Sequence, residues 1–130
     1  MTAWAHLPNA AHIDAILEDA QVRPKVWGKV WNAVWPTARV EAWAATRAAV
    51  HIAGRYEVWY AARNASWDAG WDVARDAVWS PVCTLIAWDD SAAMLDLTPD
   101  ALRTIISTCD GDVKHQAVLL LPTVIARSTE

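Results

Sequence analysis

Eight side chains in the middle of the chain offer the one concerted chemistry that residue type and spacing suggest: Trp43, Arg47, His51, Arg55, Tyr56, Trp59, Tyr60 and Arg63. Six of them recur at every fourth position, and the two tyrosines sit beside them. Side chains four apart on a helix are neighbours. A guanidinium stacked on an indole gains roughly 0.5–1 kcal/mol when exposed. Such a surface stacks on a base and meets a phosphate, so these residues are candidates for holding a nucleotide-like ligand. The structural reading of the same pairs is that arginine stems cover indole faces at the edge of a core.

The eight belong to a longer ladder. Every fourth residue from Arg23 to Trp79 is Trp, Arg or His, beginning with "VWGKVWNAVW" at 26–35. Expansion of a short GC-rich unit would scatter these residues in one register, because the codons of Trp and one Arg differ by one base. The fold must still accommodate the result. Four residues turn a helix through about 400°, an excess of roughly 40° per step. The ladder therefore winds around the helix and returns to its starting face only after about 36 residues. A straight helix over 23–79 would show Trp on every side. Each buried Trp removes on the order of 200 Å² from water, near 5 kcal/mol gross as an upper bound. The segment must fold back, associate or be covered by a ligand.

The elements that position the ladder are helices. The 130 residues include 26 Ala, ten Trp and no Phe, with four Gly and six Pro. That composition predicts an all-α fold, a compact bundle of about six or seven helices in one domain. Helices are expected near 9–21, 24–35, 37–53, 55–79, 81–96, 99–109 and 112–126, with one bent helix over 37–79 as the alternative. Pro24 suits a first turn, Pro36 should kink or end a helix, and Gly54 and Gly70 are weak points. Asn9 is a candidate N-cap for a helix whose Ile13, Ile16, Leu17 and Ala20 form one stripe, with Asp14, Glu18 and Asp19 facing solvent. Ser80-Pro81 and Thr98-Pro99-Asp100 read as helix starts, and Asp110-Gly111-Asp112 as a turn. "HQAVLLLPTVIA" is an apolar helix that Pro122 should bend or interrupt.

Charge and the remaining motifs narrow the function. Net charge is −4, with residues 23–79 carrying an excess of basic groups and both flanks acidic. A nucleic-acid backbone would be repelled by the flanks. "SAAMLDLTPDALRTII" at 91–106 is similar to a helix-turn-helix, through Ala92, Asp96 and Leu102. Its second helix, however, offers only Arg103, beside Asp100. His6, His12, His51 and His115 are scattered, and Cys83 and Cys109 lack metal-type spacing. No phosphate loop or nucleophile elbow is present. No catalytic residue, metal or cofactor is expected. The longest uncharged apolar run, 117–126, is too short to span a bilayer, and nothing reads as a signal peptide. The expected setting is a cytosol with reduced thiols.

The ladder, with "VWGKVWNAVW" and "AWAATRAAV", and the tail "LIAWDDSAAMLDL…AVLLLP" resemble a group of small Ala/Trp/Arg-repeat proteins encoded by bacteriophages. The resemblance spans most of the chain. Pro36 and the region of Gly54 depart from the smoother Ala repeats of that group. It implies a phage product acting in a bacterial cytoplasm. It brings no assigned activity, so no functional residue carries over. The expectation is a non-enzymatic binding protein, a phage accessory of anti-defence type. It would capture a nucleotide-like ligand or a host protein through Trp and Arg. The alternatives are a self-assembling structural protein, with the ladder as homo-oligomer interface, and a helix-turn-helix DNA binder.

Overall fold

The computed structural model describes residues 2–53 and 56–129; the side chains at 35–39, 50–53, 56–57 and 71–73 lie outside the described set. The described chain is all-α, with the order α1 (Ala10–Val22), α2 (Pro24–Ala53), α3 (Tyr56–Ala87), a 3-10 segment (Ser91–Asp96), α4 (Pro99–Thr108) and α5 (Gly111–Ser128). Helix α3 packs on α2 and α1, and α5 packs on α2 and α4. Helix α5 runs antiparallel to α2. Arg23, just before α2, donates from its guanidinium to the carbonyls of Ala126 and Thr129, whereas Glu41 pairs with Lys114 at 3.6 Å.

Helix α1 forms on the expected stripe, with Ile13, Ile16 and Ala20 buried and Leu17 half-buried. Two expectations around it are corrected. Asn9 precedes α1 but makes no side-chain cap there. Its Nδ2 donates instead to the carbonyls of Leu85 and Trp88, at 3.0 and 3.1 Å. Leu85 lies in the last turn of α3 and Trp88 just beyond it, where its carbonyl also accepts from Ser91 N at 3.1 Å, so a buried amide ties the two elements together. Asp19 does not simply face solvent. It accepts from Arg23 Nε and Nη2 at 3.0 and 2.8 Å and from Trp27 Nε1 at 2.8 Å. The first two rungs of the ladder therefore end on one carboxylate.

Prolines interrupt less than local rules predict. Helix α2 runs through Pro36, α3 through Pro81 and α5 through Pro122. Ser80-Pro81 is thus not a helix start, and the expected helix 81–96 is the end of α3 followed by the 3-10 segment. An interior proline costs about 3 kcal/mol. Around Pro81, Val78, Val82, Leu85 and Ile86 are fully buried, each worth about 1.5–3 kcal/mol. Burial wins. Thr98-Pro99 behaves as expected, the Thr98 hydroxyl accepting from Ala101 N at 3.1 Å. Gly111 takes φ 69° as the first residue of α5, the left-handed region that glycine enters without strain.

The ladder is cut twice. The first cut falls between α2 and α3. The second lies within α3, whose axis doubles back between Gly70 and Ala74. Trp59 and Trp79 are twenty residues apart, about 30 Å along a straight helix, yet their ring centroids are 5.0 Å apart. Residues 56–70 and 74–87 are therefore two arms facing each other. Gly70 sits at the bend. A Cβ there would lie 3.1 Å from Arg75 N and 3.1 Å from Val78 Cγ2. Buried small residues, Ala42, Ala45 and Ala49 on α2 and Ala62, Ser66 and Ala69 on α3, allow close backbone approach.

Two predictions follow from these contacts. In a straight helix, Gly70→Ala would stabilise by about 1 kcal/mol. At this bend it should destabilise by about 1–3 kcal/mol, because backbone must move; the denaturant midpoint gives the sign. For Asp19, burial pushes its carboxyl up, but hydrogen bonds from Arg23 and Trp27, with the charges of Arg23 and Arg127, outweigh this and hold it below its ordinary value of 3.8. Its contribution is present above that value and is lost as pH falls through the depressed one. Asp19→Asn should be less stable than wild type at neutral pH and should lack this part of the acid-induced loss.

Candidate functional site

The rungs of α3 meet across its bend. In the first arm, Trp59 is buried, Arg63 and Trp67 are half-buried, and Tyr60 is 60% exposed. The second arm contributes Arg75 and Trp79. Trp79 meets Trp59 edge-on, with an interplanar angle of 70°, a geometry worth about 0.5–1.5 kcal/mol beyond burial. The Arg63 guanidinium lies 5.3 Å from the Tyr60 ring and 5.0 Å from the Trp67 ring. Arg75 covers Trp67 from 5.2 Å. One indole is thus flanked by two guanidiniums.

Some of these partners are the successive rungs expected from the spacing, and others are not. Trp43 and Arg47 do stack, at 5.8 Å. Arg63 stacks on the next rung, Trp67, and on Tyr60, and Arg75 covers Trp67 from across the bend. The bend adds neighbours across the two arms, Arg75 on Trp67 and Trp79 on Trp59, to those along the first arm. Gly70 carried that signal in the sequence; which rungs it would bring together did not show.

The eight candidate residues do not form one described pocket. Trp59, Tyr60 and Arg63 belong to the α3 cluster. Trp43 and Arg47 form an exposed pair on α2, with Trp43 56% exposed. His51, Arg55 and Tyr56 fall outside the described side chains. Trp67, Arg75 and Trp79 were in the ladder but not among the eight, and the structure adds them.

The separation of Trp27 from Trp43 is physical. Sixteen residues rotate a helix by about 160° net, so Trp27 at 1% exposure faces the core and Trp43 faces out. Alanines 42, 45 and 49 take the inward positions beside it.

Among the described residues, the cluster holds donors that lack acceptors. Trp59 Nε1, Arg63 Nε and Trp67 Nε1 are buried without hydrogen-bond partners. A buried unsatisfied donor costs about 1–3 kcal/mol, whereas a hydrogen bond to a charged group contributes about 1.5–3 kcal/mol. The guanidinium–ring contacts are worth less than that. An anion that drew the arginines off the rings would exchange weaker contacts for stronger ones.

No known protein family, curated protein or solved structure matches the chain. The site must be read from its own geometry.

Elsewhere the chemistry is sparse. Among the described residues no three His, Cys, Asp or Glu side chains group as metal ligands. No described helix is long and apolar enough to cross a membrane. Cys83 and Cys109 are unbridged, and burial pushes the Cys83 thiol up to about 12 against a smaller opposing effect from Thr84. In the helix-turn-helix-like stretch, the part before Asp96 is a six-residue 3-10 segment, and Arg103 pairs with Asp100 at 3.2 Å. A groove of about 340 Å³ runs between α2, α4 and α5, past Val34, Glu41, Arg103 and Leu121.

Proposed function

We propose that this protein works by binding, not catalysis, as an accessory protein of bacteriophage type that holds a nucleotide-like anion on the Trp/Arg face of α3. The observation that carries this reading is Arg63. Its guanidinium lies between two aromatic rings, its Nε has no acceptor, and Tyr60 beside it is open to solvent. A base would stack on the exposed Tyr60 face, and phosphate would meet the guanidiniums. Free thiols at Cys83 and Cys109 fit the reducing compartment that this role requires.

A second reading is favoured by a separate feature. Val40, Trp43 and Arg47 stand at positions i, i+3 and i+7 of α2, with Val40 82% and Trp43 56% exposed. That stripe supports self-association into a homo-oligomer.

Intrinsic Trp fluorescence titrated with mono-, di- and cyclic nucleotides, alongside light scattering, separates the two. Capture predicts a saturable response that Arg63→Ala and Tyr60→Ala each weaken about tenfold, 1.4 kcal/mol, and that Trp43→Ala spares. No response, with an oligomer that Trp43→Ala dissolves, would replace capture by self-association.

A further inference from the structure

The three orphaned donors of α3 form a row. Trp59, Arg63 and Trp67 are consecutive rungs, so each step rises about 6 Å and turns about 40°. The row therefore stays on one side of the first arm. All three atoms are donors only, and none can satisfy another. Trp88 Nε1, His115 Nδ1 and Thr123 Oγ1 are also orphaned, but they lie elsewhere in the chain.

Indoles outside this row show what is missing. Trp4 Nε1 donates to Asp14 and Trp27 Nε1 to Asp19, each at 2.8 Å. In the row, no carboxylate among the described residues pairs with Trp59, Arg63 or Trp67. Asp68, adjacent in sequence, lines a different face with Trp4 and Gln21. What stands beside the row is positive charge, from Arg63 itself and from Arg75 over Trp67. An anion brings acceptors alone.

We propose that this row is the seat of a phosphoryl oxyanion of the diphosphate type. A chain of phosphoryl oxygens matches donors strung along successive turns better than a single carboxylate does. The donors are closed off from solvent, so the anion enters as Arg63 and Arg75 leave the ring faces of Trp67 and turn their N–H groups toward it. Arg75 belongs to the second arm, and Trp59 is packed on Trp79, so the bound anion braces the bend of α3. The seat rests on the reading of α3 as the ligand face, and it assigns the phosphate end of the ligand to the buried row and the base to the Tyr60 rim.

The test uses the full chain, labelled with 15N at Trp and titrated with pyrophosphate. Inorganic phosphate, a nucleoside diphosphate and sulfate serve as parallel arms. The indole N–H signals of Trp59 and Trp67 should shift saturably with pyrophosphate, while those of Trp4 and Trp27 stay in place. Arg63→Gln should weaken binding at least tenfold. So should Trp67→Phe, which keeps a ring and deletes the donor, with helical circular dichroism retained in both variants. Sulfate controls for general salt stabilisation, which does not saturate. Pyrophosphate binding with no gain from a nucleoside supports the seat and overturns nucleotide capture. Nucleotide binding that leaves both indole signals unmoved and ignores Trp67→Phe overturns the seat and leaves capture standing. No binding of any of these anions, in a folded protein, overturns both.

Discussion

A repeat of four residues on a helix that turns every 3.6 is the constraint from which the structure follows. The mismatch is about 40° per rung, and it accumulates. No straight helix can keep such a stripe against one partner. The chain resolves this by giving each short run of rungs its own environment. Arg23 and Trp27 close on Asp19 and the end of α5. Trp43 has rotated outward, and alanines fill the α2–α3 seam in its place. Trp59, Arg63 and Trp67 meet a second arm of the same helix.

That last solution gives the molecule its distinctive chemistry. A bend at Gly70 sets an edge-on indole pair in the interior and a guanidinium–indole–guanidinium stack at the rim. Burial of Trp59 and the small residues near the bend favours the two arms coming together. The cost is a row of N–H groups with nothing to bond. The arrangement that buries Trp59 thus also leaves these donors unpaired, and under the proposed reading an acceptor that filled the row would strengthen the fold as it bound.

Much of this architecture was legible in the residues. Alanine content and helix-start signals such as Thr98-Pro99 pointed to an all-α chain, and the Ile13–Ile16–Ala20 stripe placed α1. The winding of the ladder required cuts, and Gly70 marks one of them; Gly54 lies outside the described residues. What stayed hidden depended on contacts distant in sequence. Pro36 and Pro122 read locally as breakers and Ser80-Pro81 as a helix start; around Pro81, buried side chains outweigh the cost of an interior proline. Asn9 read as a cap for its own helix, but its amide serves carbonyls more than seventy residues away. Asp19 read as solvent-facing because neither Arg23 nor Trp27 reveals, in sequence, that it turns back onto α1. For the candidate site, residue types were legible and partners only in part: Trp43–Arg47 and Arg63–Trp67 follow the spacing. Spacing alone pairs Arg75 with Trp79, and only the bend carries it to Trp67.

The central claim is that α3 doubles back, and proximity between its two arms tests it most directly. A nuclear Overhauser measurement on selectively labelled tryptophans should show cross-relaxation between the Trp59 and Trp79 rings, whose centroids lie 5.0 Å apart. Its absence in a folded, monomeric sample, with relaxation typical of an extended rod, would contradict the account.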